Sequence, residues 1–182
     1  MTDLCLLWGK TVEGDPQAYH PALYHMLDAG HVAQVMLSDG SSPAWRTALA
    51  RTLACDPETV RAAVPWFVAL HDVGKCSQAF QEMVPPQKER LAALGVPFSA
   101  RSMTALPHAV VGAGAWRALQ AGPLQSLPDS LSTVLQQVIA GHHGWWLKAG
   151  QASHARRLLA AREPHFWAET RAAAVKSRRP ES

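Results

Sequence analysis

Histidines and carboxylates in separate parts of the chain carry side chains that bind divalent metal ions, and His71 and Asp72 stand side by side among them. Neutral imidazole and carboxylate are suitable ligands for Mn, Fe, Co, Ni or Zn, and one carboxylate can bridge two ions. Because these residues are distant in sequence, they can form one site only if the ends of several elements converge in the fold. The sequence therefore predicts a metal site with His71 and Asp72 at its centre.

The residues before His71 and Asp72 predict a helix that delivers this pair to the site. The segment Asp56-Pro57-Glu58-Thr59 supplies an N-cap, a proline at the first helical position and an early acidic residue. Apolar residues then follow at spacings of four, three and three, namely Val60, Val64, Phe67 and Leu70. This pattern is typical of a helix that buries one face, so these side chains are assigned to the core.

The rest of the chain is also predicted to be helical. Apolar spacing, helix-start signals and intervening turn residues predict helices at about 21–37, 45–53, 76–83, 108–120, 131–139 and 151–175. Pro85-Pro86 is expected to end the helix at 76–83, and a loop at about 95–107 leads to His108. The chain is rich in Ala, Leu, Val and Trp with few β-branched runs. We therefore expect an all-α fold with one domain over residues 1–176 and a disordered tail at 177–182.

Charge is unevenly distributed along the chain. Residues 146–182 contain eight Lys or Arg against three Glu, although the whole chain has a net charge of only +3. Such a basic segment favours a polyanionic partner, and the competing interpretation is a solvated helix face with a frayed end.

Cysteine usage and the N-terminal residues predict a reducing, cytoplasmic environment. Cys5, Cys55 and Cys76 are an odd number without a CxxC motif, which indicates neither a disulfide framework nor a thiolate zinc site. We expect them to be buried thiols. The N-terminus lacks the basic start and apolar stretch of a signal peptide, and no apolar run reaches membrane-spanning length. No membrane partner is expected.

Several short motifs give the chain a resemblance to a known family. The pair His71-Asp72 lies in HDVGK, where Gly permits close backbone approach and Lys can hold a phosphate. HDVGK resembles the HD[IVL]GK signature of the HD superfamily of metal-dependent phosphohydrolases. In the same order along the chain stand LWGKT at 7–11, YHP at 19–21, HMLD at 25–28, GKCSQAFQ at 74–81 and GHHG at 141–144. Over residues 6–146 the chain thereby resembles the HD nuclease domain of type I CRISPR helicase-nucleases.

The resemblance implies a helical HD-domain bundle with a site for two divalent ions, Mn, Co, Ni, Fe or Mg, between its helices. It implies that one ion is held by His25, His71 and Asp72, and a second by Asp72, His108, His142 and His143. A water activated by the ions would attack a DNA phosphodiester, with Lys75 assisting electrostatically near the phosphate. Catalytic roles are thus assigned to Asp72 and Lys75.

The other histidines are expected to be structural. They are His20, His31, His154 and His165. His20 is close enough in sequence to His25 to be a rival ligand, but the family pattern favours His25. Asp28 is a candidate hydrogen-bond partner that orients a metal-binding histidine.

The chain departs from the family pattern in two respects. The family has a further Asp beyond the His-His pair that completes the first metal site, and this chain has no Asp after His143. Glu163 or Glu169 could replace it if the last helix folds back. There is also no GxxxxGK[ST] motif and no room for the helicase lobes. We interpret the chain as a piece of a larger protein, with a stand-alone or truncated nuclease subunit as the alternative.

Three functions follow from these features. The first is a metal-dependent endonuclease and exonuclease that cleaves single-stranded DNA in CRISPR interference, working with a helicase domain or subunit and an RNA-guided surveillance complex. The second is an HD-type nucleotide phosphohydrolase or phosphodiesterase, which HDVGK alone would also fit. The third is a degenerate metal-binding domain without turnover. Trp145-Trp146 is either a platform for single-stranded bases or part of the core.

Overall fold

The computed structural model describes residues 3–40, 43–121, 129–144 and 146–177. Most of them are helical. The helices are α1 (Ala22–Met36), α2 (Pro43–Leu53), α3 (Pro57–Ala69), α4 (Gln78–Gln81), α5 (Pro85–Ala93), α6 (His108–Ala121), α7 (Asp129–Gly141), α8 (Gln151–Arg162) and α9 (His165–Lys176). The all-α prediction is confirmed. Short 3₁₀ turns at Leu4–Leu6 and Val73–Lys75 complete the helical elements of the described residues.

A small β-hairpin precedes the helices, in a segment for which the sequence analysis predicted no regular element. Strand β1 (Trp8–Val12) pairs antiparallel with β2 (Asp15–Pro21), and the register is irregular at two points. Gly14 turns the chain with a φ of 80°, which suits glycine. The hairpin runs directly into α1, where the Ala22 N–H donates to the Leu7 carbonyl over 2.8 Å. The alternation of apolar and polar residues in this segment was too short to indicate strands.

Close helix packing forms the scaffold of the bundle. Helix α1 lies against α3, and α6 lies against both α7 and α8. Small residues set the approach: a Cβ on Gly30 of α1 would lie 3.0 Å from the Ala69 Cβ of α3, and one on Gly114 of α6 would lie 2.8 Å from the Ala155 Cβ of α8. Interiors are packed to crystal-like density, so larger side chains at these glycines would separate the helices.

The helix that ends at the His71-Asp72 pair forms as predicted. Asp56 is its N-cap, and the Asp56 carboxylate accepts hydrogen bonds from the Thr59 N–H over 2.8 Å and from the Thr59 hydroxyl over 2.6 Å. Pro57 occupies the first turn, where its missing N–H costs nothing. The helix continues through an internal Pro65.

Three expectations about the helices are wrong. The continuous helix over 151–175 is broken between Arg162 and His165, because Pro164 lacks an N–H for the ladder and holds its predecessor Glu163 in an extended conformation. Pro85 does not merely end a helix but begins α5, since proline is well suited to the first helical turn. The expected helix at 76–83 is confined to the single turn of α4.

Several other expectations have mixed outcomes. Cys76 is buried, whereas Cys5 and Cys55 are only partly buried, and none of the three is in a disulfide. Of the expected disordered tail, Ser177 follows α9 as its cap and residues 178–182 lie outside the described residues. The single domain over 1–176 stays a prediction. Within the described ranges no helix is both long and apolar enough to cross a membrane.

Candidate metal centre

The six predicted ligands meet in one place because each stands at or near an element end. His25 lies in the first turn of α1, and His71 and Asp72 follow the end of α3. His108 is the first residue of α6, and His142 and His143 follow the end of α7. The bundle brings these ends together around Asp72.

Asp72 is the centre of the cluster, with a side chain that is only 3% exposed. Its Oδ2 atom lies 2.9 Å from the His25 Nε2 and 3.0 Å from the His71 Nε2. Its Oδ1 atom lies 2.9 Å from the His108 Nε2 and 3.3 Å from the His142 Nε2. Each carboxylate oxygen therefore faces a different pair of imidazoles, which is the arrangement a bridging ligand needs.

The donor atoms form two groups that share Asp72. One consists of His25, His71 and Asp72, and the other consists of Asp72, His108, His142 and His143. Within each group every ligand atom lies within 4.8 Å of the others. Three or four N and O donors at such separations suit a transition-metal ion. Among the described residues, these are the side chains that were expected to share each ion, and their assignment as ligands stays a prediction.

Hydrogen bonding on the far side of the imidazoles shows that a divalent metal fits these groups. The Nδ1 atoms of His71 and His142 lie against the carbonyl oxygens of Val68 and Ile139, which can only accept, so each Nδ1 carries the proton. In a neutral ring the Nε2 atom then presents a lone pair to Asp72. Oδ1 of Asp72 and Nε2 of His142 are buried without a hydrogen-bond partner. A cation between them would satisfy both atoms.

His143 completes the second group through its contact with His108. The two Nε2 atoms lie 2.9 Å apart. Two imidazole nitrogens approach this closely only when one donates a proton to the other or when a cation lies beside both.

The electrostatics of the cluster favour an ionised Asp72. Burial alone would raise the pKa of Asp72, but in the ring form that carries a proton on Nε2, hydrogen bonds from His108, His142 and His71 lower it well below its usual range. Burial and the nearby Lys75 ammonium lower the pKa of His25, which keeps this ring neutral. Neutral imidazole and ionised carboxylate are the protonation states that bind metals.

Lys75 lies on the buried side of Asp72. Its Nζ atom is 2.8 Å from the Asp72 Oδ2 and donates to the Gly9 carbonyl over 3.1 Å. The Lys75 side chain is 8% exposed. The ammonium group therefore fixes the orientation of the carboxylate, and the predicted contact of Lys75 with a phosphate stays a prediction.

Gln81 and strand β1 hold the Lys75 segment in place, a role that the sequence analysis missed. The fully buried Gln81 carboxamide donates to the Trp8 carbonyl over 2.8 Å and to the Lys75 carbonyl over 2.9 Å, and it accepts from the Trp8 N–H over 3.1 Å. A Cβ on Gly9 would lie 2.7 Å from the Ala22 Cα. The motifs LWGKT and GKCSQAFQ were recognised, but only the tertiary contacts show why they occur together.

Gly74 explains the glycine of the HDVGK motif. A Cβ at this position would lie 1.8 Å from the His108 carbonyl oxygen and 2.8 Å from the Gly112 nitrogen. Only a glycine lets the turn after Asp72 approach the first turn of α6 so closely. The same contact places His108 within reach of Asp72.

Neither candidate for the missing carboxylate lies at the cluster, so the replacement by Glu163 or Glu169 that the sequence left open does not occur in the described structure. Glu163 pairs with Arg171 over 2.6 Å, with side chains 2% and 4% exposed. It also accepts from the Gln78 N–H over 3.1 Å. Glu169 is 70% exposed and lies 3.3 Å from the His165 Nδ1. Both charges are engaged on α8 and α9, away from Asp72.

The remaining polar candidates also lie outside the two ligand groups. His20 and Asp28 pair with each other over 3.0 Å at the surface, so Asp28 orients His20 and no ligand histidine. His154 and His165 are exposed on α8 and α9, and His31 is exposed on α1.

An apolar groove of about 690 Å³ leads to the cluster between α2, α3 and α7. Its walls include Leu53, Val64, Phe67 and Val138, and its inner end is formed by His71, His142 and His143. The metal centre is therefore reached from the solvent side of these histidines and is closed on the side of Lys75.

Comparisons with known proteins agree with this geometry. A family model described as Cas3, HD domain, matches residues 8–181. The CRISPR-associated endonuclease/helicase Cas3 of Thermus thermophilus is 33% identical over 165 residues, which is 91% of this chain and 17% of that protein. The chain thus spans a small part of its curated relative.

Solved structures share the fold. The crystal structure of the Thermus thermophilus cas3 HD domain in the presence of Ni²⁺ aligns with a TM-score of 0.63 and 27% identity, over 95% of this chain and 62% of that one. A chain of a CRISPR RNA-guided surveillance complex, pre-nicking, aligns with a TM-score of 0.69 and 24% identity, over 96% of this chain and 20% of that one. With a His–Asp cluster at its centre and the family model across nearly its whole length, the chain belongs to the Cas3 HD domain family, as the motifs predicted.

Proposed function

We propose that this chain is a divalent-metal nuclease that cleaves single-stranded DNA in CRISPR interference. The observation that carries the proposal is the position of Asp72, whose two oxygens each face a separate pair of histidines. A carboxylate shared by two ligand groups is the protein component of two-metal phosphodiester hydrolysis. Family membership supports a CRISPR-associated HD nuclease.

The residues around Asp72 prepare the site for this chemistry. Divalent ions bound there would supply an activated water and stabilise the charge that develops on the phosphate. The chain's own contribution is to keep the His25 imidazole neutral, to orient the rings of His71 and His142 through their Nδ1 contacts, and to keep Asp72 ionised. Lys75 acts as a positioning residue that fixes the Asp72 carboxylate from its buried side.

The partners follow from the relatives. The Thermus relative is an endonuclease/helicase, and a chain of similar fold occurs in an RNA-guided surveillance complex. We propose that this domain works with a helicase domain or subunit that delivers single-stranded DNA, recruited by such a complex. The exposed arginines of α8, among them Arg156 and Arg157, provide part of the positive charge that a polyanion requires.

Cleavage assays test this proposal. The purified chain is incubated with circular and linear single-stranded DNA and with Mn, Co, Ni or Mg, beside Asp72→Ala and the control Glu169→Ala, which removes an exposed carboxylate from α9. We expect the wild type and the control to cut, and Asp72→Ala to be inactive. His142→Ala serves as a second inactive variant because it leaves the Asp72–Lys75 pair intact. Cutting by either site variant at the wild-type rate would contradict the proposal.

A second candidate is a domain that binds metal without turnover. It is favoured by one observation: among the described residues, the group around His25 contains three ligands, and Glu163 and Glu169 lie elsewhere. Metal stoichiometry by native mass spectrometry separates the two candidates. A value near two with cleavage supports the nuclease, and a value near one without cleavage supports the second candidate.

A further inference from the structure

Trp146 is a large aromatic side chain left in solvent beside the metal centre. It is 76% exposed. Indole rings bury a large apolar area when they have the chance, so an exposed one next to a ligand cluster requires an explanation.

The turn after α7 places this ring. The Gly144 N–H donates to the Gly141 carbonyl over 2.8 Å, and Gly144 has a φ of 80°, so the chain reverses directly after His142 and His143. The Trp146 ring then lies over Gly141, since a Cβ built on Gly141 would be 3.6 Å from its Cε3 and Cζ3 atoms. One edge of the indole ring packs against Gly141, the residue before His142, and most of the ring surface is exposed to solvent.

We propose that Trp146 stacks on a nucleobase of the single-stranded DNA whose phosphate lies at the metal centre. This inference rests on the proposed function and adds a residue that binds the substrate. Each base has a π-face, so stacking on an aromatic ring binds single strands without sequence preference.

The surroundings of Trp146 favour a nucleic acid over a protein surface. The ring lies over Gly141, which directly precedes His142 in the chain, so a base stacked on it would lie beside the segment that carries the histidines. Lys148, two residues further on, is exposed, and its backbone N–H is held by the Gln151 carboxamide over 2.7 Å. An aromatic ring beside a cation is the combination that binds the base and the backbone of one strand.

Binding measurements on Trp146 variants test the proposal. The intact chain with Mn²⁺ is titrated with a short fluorescein-labelled oligothymidylate that has phosphorothioate linkages to slow cleavage. Trp146→Ala is expected to bind about tenfold more weakly, the size typical of losing one base–aromatic stack, and Trp146→Phe to recover most of the affinity. Trp45→Ala removes another exposed tryptophan, in the first turn of α2, and is the matched control.

An abasic scan distinguishes stacking from a structural effect. One base at a time is removed from the oligonucleotide, and the wild type is expected to lose affinity at one position. In Trp146→Ala the same abasic site should cost nothing further, because the stack is already absent. Unchanged melting temperature and unchanged Mn²⁺ binding would show that the variant keeps the fold and the metal centre.

The outcomes separate this inference from the proposed function. If the wild type cleaves the DNA but binds it no more tightly than Trp146→Ala does, the proposed role of Trp146 is overturned and the nuclease function stands. If the wild type binds the DNA with the expected dependence on Trp146 but does not cleave it, the nuclease function is overturned and the stacking site is supported. An absence of binding by the wild type would overturn both.

Discussion

The Glu163→Gln substitution should unfold the protein more readily without removing a metal ligand. Glu163 and Arg171 form a two-bond pair over 2.6 and 3.1 Å, and neither side chain is more than 4% exposed. Arg171 also donates to the Cys76 carbonyl over 3.1 Å. The pair therefore ties the α8–α9 corner to the residues just after HDVGK.

The expected magnitude follows from the burial of this pair. Removing one partner of a buried ion pair costs about 3 to 5 kcal/mol, because the other charge stays buried and uncompensated. For a domain of this size each kcal/mol lowers the melting temperature by about 2 to 4 °C, so a fall of roughly 6 to 20 °C is expected. The exposed control Glu169→Gln should change stability by less than about 0.5 kcal/mol.

Thermal unfolding with and without Ni²⁺, together with a metal titration, provides the assay. The double variant Glu163→Met, Arg171→Leu should recover most of the lost stability, since an apolar pair of similar volume removes both buried charges. The interpretation is refuted if Glu163→Gln melts like the wild type but binds fewer metal ions, because Glu163 would then be a ligand.

Two further predictions concern residues that position the segment containing His71 and Asp72. Gly74→Ala places a Cβ 1.8 Å from the His108 carbonyl oxygen. The free energy of unfolding should therefore fall by at least about 1 to 3 kcal/mol, and the affinity for Ni²⁺ should also fall. Calorimetry that finds both quantities unchanged would contradict the close packing of Gly74 against His108. Asp56→Ala should lower the melting temperature at neutral pH and lose this effect in acid. The hydrogen bonds from Thr59 lower the pKa of Asp56, so its contribution to stability is fully present above the ordinary carboxyl pKa and is lost as the pH falls through the lowered pKa of the folded state. A difference in melting temperature that persists unchanged in acid would argue against the capping role.

Local signals in the sequence were sufficient where one segment determines its own structure. The cap at Asp56 and the apolar spacing through Leu70 predicted α3 because both depend on neighbours along the chain. The ligand set was identified through the family motifs, and the structure brings all six side chains together. Their partition around the two oxygens of Asp72 depends on how the helices pack, which no spacing within one helix can show.

The sequence failed where a residue's partner is distant or where a residue has two uses. Pro85 can end a helix or begin one, and the tertiary contacts of α5 decide between them. Gln81 and Gly9 belong to recognised motifs, but their roles depend on tertiary contacts. Gln81 binds strand β1, which lies far from it in sequence, and Gly9 allows the close approach of Ala22. Glu163 was a candidate ligand because carboxylates bind metals, and its buried partner Arg171 could not be identified from spacing alone.

The central claim is that Asp72 serves two ligand groups, and anomalous diffraction from crystals of the Mn²⁺-loaded chain tests it most directly. We expect anomalous density on both sides of Asp72, with one peak beside His25 and His71 and another beside His108, His142 and His143. Density at neither position, or peaks that survive in Asp72→Ala at full height, would contradict the claim.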